Sequence, residues 1–173
     1  KVVLEDIVFL KFMGLKPVLV HGGGPNISER MRQEGKKTDF IDGMRVTDEE
    51  TLVVVEEELE RLNALITQEI SELGARAVVL NGKEQKLIQV EKKKAKLDLG
   101  LVGQIIAINT QPILEELKED KVVVILPMGS GEDKKFYNVN ADEAAAIISA
   151  SLRAEKLVLL TNVKGIMRNP DDP

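Results

Sequence analysis

The sequence contains no cysteine and no tryptophan, and its 173 residues include one histidine, one tyrosine and four phenylalanines. Without cysteine there can be no disulfide, no thiolate zinc site and no cysteine nucleophile, which agrees with a reducing compartment. The single histidine, His21, excludes a multi-histidine metal centre. So few aromatics leave little on which bases could stack. A net charge of −5 lacks the basic footprint of nonspecific nucleic-acid binding. No apolar run approaches the roughly 20 residues that cross a bilayer, and no signal-peptide pattern opens the chain. The expectation is a soluble cytoplasmic domain with no affinity for nucleic acid or membrane. At roughly 150 residues per domain, residues 1–173 form one unit, large enough to fold without a disulfide or metal staple.

What is present alternates. Helical periodicity starts at once (Val2, Val3, Ile7, Leu10, Met13). Pro17–Val20 then reads as a strand entering a glycine cluster, with a helix over Asn26–Gln33. Thr47, with Glu50 three residues on, predicts a capping box for the longest helix. Along that helix Leu52, Val55, Leu59, Leu62, Ile66, Ile70 and Leu73 recur at steps of three or four until Gly74, a stripe read as core with part of it available as a dimer face. Strands follow at Ala75–Leu80 and Lys121–Pro127, and helices at Thr110–Glu119 and Ala141–Leu152, the latter capped by Asn140. Leu87–Val90 reads as one arm of a hairpin around Lys92–Lys94, a solvated tip without a role. Lys156–Leu160 reads as a last strand. Apolar strands alternating with helices predict a mostly parallel sheet covered on both faces. Because such a strand is normally followed by a covering helix, the sequence reads as a piece of a longer chain.

Open α/β sheets bind ligands beyond the carboxyl ends of their strands. His21-Gly22-Gly23-Gly24-Pro25 sits at such a junction. Consecutive glycines let backbone N–H groups approach an anion, and the helix start behind them adds positive dipole. The alternative is a tight turn that needs positive φ, but three glycines exceed that need. His21 itself reads as a packed strand-end residue. A second junction is Tyr137-Asn138-Val139-Asn140-Ala141-Asp142. Asn140 is explained as a cap and Asp142 as a carboxylate complementing a helix dipole, whereas Asn138 has no such structural reason. The third junction is Thr161-Asn162-Val163-Lys164-Gly165, polar as a nucleotide loop would be. Arg45, in Asp42–Thr47, is either a bidentate carboxylate ligand or an ordinary surface arginine.

Pro17–Pro25, Gly43–Asp48, Asp98–Gly103, Tyr137–Asp142 and Lys156–Thr161, in this order, resemble the acetylglutamate kinases of the amino acid kinase family. The resemblance runs through nearly the whole chain and implies a three-layer αβα sandwich with a mostly parallel sheet. It implies ATP-dependent phosphorylation of the side-chain carboxylate of N-acetyl-L-glutamate in arginine biosynthesis, with ATP and Mg2+ and in a homo-oligomer. Carried over, the backbone at Gly23 and Gly24 would meet substrate and phosphoryl group, Arg45 would hold the α-carboxylate and Asn138 would fix the acetylglutamate. Asp142 would orient catalytic lysines, and Asn162 and Gly165 would begin the ATP site. The family's opening strand with its Lys-x-Gly-Gly motif and the C-terminal part with a second lysine are absent. Asn162 stands where Asp is usual, and Glu56–Asn63 lacks the usual Gly-Lys. These 173 residues are therefore expected to carry half an active site, mainly the acetylglutamate-binding part, and to be inactive alone. The alternatives are a non-catalytic binding or regulatory domain of the same fold, or a kinase for a related carboxylate or carbamate.

Overall fold

The computed structural model describes residues 2–160. Its centre is a parallel sheet in the order β1 (Val18–Val20), β7 (Val122–Leu126), β4 (Ala77–Asn81). All five residues of β7 are buried, as a strand covered on both faces requires. Alternation along the strands divides the core in two. Val123 and Ile125, with Val18, Val20, Val78 and Leu80, meet Ile113 and Leu117 of α4 (Gln111–Lys118) and Ala144 and Ile148 of α5 (Ala141–Leu152). Val122 and Val124, with Leu19 and Ala77, meet Leu4 and Val8 of α1 (Val2–Phe12) and Ile70 of α3 (Glu49–Glu72). Helices thus cover both faces of the parallel sheet, which gives three layers.

A smaller mixed sheet grows from the carboxyl end of β7. Its order is β6 (Gly103–Ile108), β5 (Ile88–Lys92), β8 (Met128–Gly131), β9 (Phe136–Asn138). The β5–β8 pairing is parallel, and the β5–β6 and β8–β9 pairings are antiparallel. A separate hairpin, β2 (Phe40–Ile41) and β3 (Met44–Arg45), turns at Asp42 (φ 50°) and Gly43 (φ 77°). Two positive φ values in a two-residue loop match the right-handed twist of the flanking strands, and Asp-Gly accommodates them.

Four sequence expectations change. The cap of α3 is Asp48, whose Oδ1 accepts from the Thr51 amide at 2.7 Å, not Thr47. Thr47 is fully buried and donates its hydroxyl to the Arg45 carbonyl, so its oxygen faces the core rather than the helix start. The lysine run is no free tip: Lys92 ends β5 and pairs with Asp98, and Lys93 pairs with Glu143 at 2.7 Å. In α1 the buried residues are Leu4 and Val8, while Val2, Val3, Leu10 and Met13 are exposed. Lys156–Leu160 joins no strand among the described residues, and Leu157, Val158, Leu159 and Leu160 are exposed. An apolar run becomes a strand only where a neighbour offers its N–H and C=O groups, and here none of the described strands does. Asn162 and Gly165 lie outside the described residues.

Candidate functional site

The glycine cluster leaves β1 at the carboxyl edge of the parallel sheet and opens α2 (Gly24–Gln33), two residues earlier than the sequence suggested. Gly23 is the N-cap residue at φ −143°. Neither Gly22, Gly23 nor Gly24 has a positive φ, so backbone conformation does not demand glycine here and the tight-turn alternative falls. Packing explains Gly23: a Cβ there would lie 3.1 Å from Leu59 Cδ2 and 3.2 Å from Ile27 Cδ1 and Leu62 Cδ1. Gly22 abuts the start of α5, where a Cβ would come 3.6 Å from that of Ala141. Packing against other segments does not explain Gly24: apart from its chain neighbours, a Cβ on it would meet no heavy atom within 4 Å, and the residue is exposed. Its one local reason is Pro25, because a Cβ ahead of a proline disfavours the helical conformation Gly24 adopts. The helix begun here leaves its first N–H groups without intrahelical partners.

Arg45 arrives at this helix start from β3. It is 6% exposed, which sets aside the surface reading. One terminal nitrogen, Nη2, donates to the Gly24 carbonyl at 3.0 Å and to Ser28 Oγ at 2.8 Å; Nη1 lies 3.5 Å from Met31 Sδ. The Phe40 ring stacks 4.7 Å from the guanidinium carbon. Every one of these partners is neutral, and no described carboxylate forms an ion pair with Arg45. Burial accordingly pushes the guanidinium below its ordinary pKa. The charge also stands beside the first turn of α2, whose amide dipoles present partial positive charge of their own. An anion would relieve both.

Asn138, at the end of β9, joins the same cluster. Its Nδ2 donates to Thr47 Oγ1 at 3.3 Å, and Thr47 donates to the Arg45 carbonyl at 2.8 Å. Gly24, Arg45, Thr47 and Asn138 are thus linked by successive hydrogen bonds across α2, β3, the segment between β3 and α3, and β9. Asp142 sits in the first turn of α5, two residues after Asn140, whose side chain caps the helix by accepting from the Glu143 amide at 2.9 Å. Asp142 is exposed and makes no side-chain hydrogen bond or ion pair among the described residues.

Sequence reasoning passed over Ser28, Met31 and Phe40, the residues that seat the guanidinium. It also gave no site role to Asn63, whose Oδ1 lies 2.7 Å from His21 Nε2. The signals were faint. A serine one turn into α2 is unremarkable, but an asparagine within the apolar stripe of α3 breaks its pattern.

Residues 1–173 match the model of the amino acid kinase family. The chain belongs to that family. The acetylglutamate kinase of Caldanaerobacter subterraneus subsp. tengcongensis is 46% identical over 173 residues, covering 99% of this chain and 58% of the relative's length. Among solved structures, smu.665 from Streptococcus mutans UA159 superposes with a TM-score of 0.88 at 29% identity, over 96% of this chain and 68% of the other. N-acetylglutamate synthase from Neisseria gonorrhoeae, complexed with coenzyme A and N-acetyl-glutamate, gives 0.83 at 26% identity, over 97% of this chain and 39% of the other. Helices on both faces of the parallel sheet agree with this family's three-layer fold. Among the described residues no helix is long and apolar enough to cross a membrane.

Proposed function

We propose that this chain is the acetylglutamate-binding part, as a single α/β domain over residues 1–173, of a kinase that transfers the ATP γ-phosphoryl group to the side-chain carboxylate of N-acetyl-L-glutamate. The observation that carries the reading is Arg45: a buried guanidinium with neutral partners only, bonded to the exposed Gly24 backbone at a helix start. Buried charges are ordinarily paired, so the missing partner is an anion that arrives as ligand.

In this reading the free edge of the guanidinium takes the substrate α-carboxylate and Asn138 orients the acetamido group. The backbone at Gly23 and Gly24 meets the side-chain carboxylate and the incoming phosphoryl group. Because that carboxylate, with a free pKa near 4.3, is ionised at neutral pH, the attack needs no general base. Asp142 therefore serves to orient cations around the phosphates. The work left to the protein is positioning and neutralisation of spreading charge. Asn162 and Gly165 would open the ATP site. Mg2+ would enter with the nucleotide. The protein would act in the cytoplasm as a homo-oligomer.

Calorimetric titration of the chain with N-acetyl-L-glutamate and with its α-amide tests this. The acid should bind at least tenfold more tightly, because only it supplies the missing counter-charge. Equal affinities, or binding of neither, would overturn the assignment of Arg45. The fragment should show no phosphoryl transfer, and the longer parent chain should. The likeness to the synthase solved with N-acetyl-glutamate favours one second reading, binding without phosphorylation. An inactive parent chain that still binds the acid would decide for it.

A further inference from the structure

We propose that His21 and Asn63 form a positioning pair that holds the Gly22–Gly24 backbone in register with its ligand, an inference that rests on the function proposed for that loop. A run of three glycines is the least constrained segment a chain can offer, yet amides recruited to bind a developing charge must be held before it arrives. α3 does the holding at two points. Leu59 and Leu62 wall Gly23, as the close approach of a Cβ to their methyl groups shows. One residue further along, Asn63 receives His21, the residue immediately before the glycines, with Oδ1 and Nε2 2.7 Å apart. His21 Nδ1 lies 3.2 Å from the Gly22 carbonyl, so the ring spans from α3 to the loop itself.

Packing alone does not explain Asn63. It is 2% exposed within a stripe that includes Leu59, Leu62, Ile66 and Ile70, where leucine would continue the pattern. Its Nδ2 is buried without a hydrogen-bond partner among the described residues. An orphaned donor in a core is a cost that apolar side chains of the same shape avoid. The residue earns its place through the other half of the amide, which fixes His21.

The chain can be labelled with 15N-glycine, so that the amides of Gly22, Gly23 and Gly24 report loop geometry while calorimetry measures N-acetyl-L-glutamate affinity. In Asn63→Leu the three resonances should shift or broaden and the Kd should rise about tenfold, with Tm equal to or above that of the parent. Asn63→Asp keeps the acceptor and should restore both resonances and affinity to within threefold. If Asn63→Leu fails to fold, His21→Ala removes the same bond from the half-exposed side and should show the same shifts. Glycine amides unmoved in Asn63→Leu or His21→Ala, with Kd within twofold, would overturn the pair. Failure of Asn63→Asp to restore the resonances would also overturn it. A wild-type chain that binds no N-acetyl-L-glutamate refutes the proposed function instead, and the resonances alone then decide the positioning claim.

Discussion

Gly24→Ala separates folding from binding in one methyl group. Gly24 begins α2 without positive φ, and apart from its chain neighbours the new Cβ would meet nothing within 4 Å. Replacing glycine where alanine is compatible restricts the unfolded chain and stabilises by about 0.4–1 kcal/mol. Pro25 follows, and a Cβ ahead of a proline disfavours the helical conformation, which offsets that gain. For a chain of this length each kcal/mol moves Tm by about 2–4 °C, so a Tm within about 2 °C of wild type is expected by circular dichroism. The space the methyl enters is the one assigned to the ligand. Losing one amide hydrogen bond to a charged group costs about 1.5–3 kcal/mol, which is about 10- to 150-fold in Kd for N-acetyl-L-glutamate. Gly23→Ala should instead lose stability, because its Cβ presses on Leu59, Ile27 and Leu62 at 3.1–3.2 Å. The overpacking costs about 1 kcal/mol or more. A Gly24→Ala chain that keeps its Tm and still binds within twofold of wild type would refute the reasoning, because the open space would then belong to no ligand.

Arg45→Lys keeps a charge but loses the planar fork, so calorimetry should show at least tenfold weaker binding of N-acetyl-L-glutamate. Asp48→Ala should remove about 1 kcal/mol with the α3 cap, a fall in Tm of about 2–4 °C. The Thr51 hydrogen bonds hold the Asp48 carboxyl below its ordinary 3.8. The cap's contribution is therefore complete above about pH 4 and is lost as acid protonates the folded state, so the wild-type advantage over Asp48→Ala in acid titrations should vanish there. The phenol of Tyr137 is pushed up to about 12 by burial and by its hydrogen bond to Asp133, 2.6 Å away. Its contribution is present below pH 10 and is lost as pH rises from 10 to about 12. Because the chain has one tyrosine, absorbance at alkaline pH reads this group alone, and ionisation near 10 in the folded chain would contradict the structure.

The fold was largely legible because burial imposes periodicity. β7 could be read from Val122–Leu126, apolar at every position, and α3 from a stripe sustained over more than 20 residues. The smaller sheet was harder. β8 is Met-Gly-Ser-Gly and β6 contains a Gly and a Gln, so neither alternates cleanly. Their strand character comes from partners distant in sequence, which local pattern does not record. Asp42-Gly43 was a hairpin signal in plain view, and it places Arg45. Asn138 stood out as a residue without structural excuse and the glycine run as longer than a turn needs, but that Arg45 is buried followed only from Phe40 and Met31 closing over it. Thr47 misled because Thr47 and Asp48 are both good caps, and the choice between them depends on Thr47 being drawn inward to Arg45 and Asn138.

The locally unfavourable choices of this chain fall together around the glycine loop. Arg45 is a buried cation with neutral partners beside the positive end of a helix. Asn63 carries an orphaned donor in the core, and Gly24 puts the most flexible residue at a helix start. Each lowers stability for a different reason: uncompensated charge, an unmade hydrogen bond, and backbone entropy. Sequences under no demand but folding shed such features, and those that remain gather where function opposes stability. These three meet at one place, since Arg45 binds the Gly24 carbonyl and Asn63 holds the histidine that precedes the same glycines. A chance scatter of defects would not converge on three consecutive residues. Substitutions that cure them, Gly24→Ala and Asn63→Leu, should therefore each raise or preserve Tm while weakening the same ligand. A cured variant that keeps full affinity would detach its residue from the cleft.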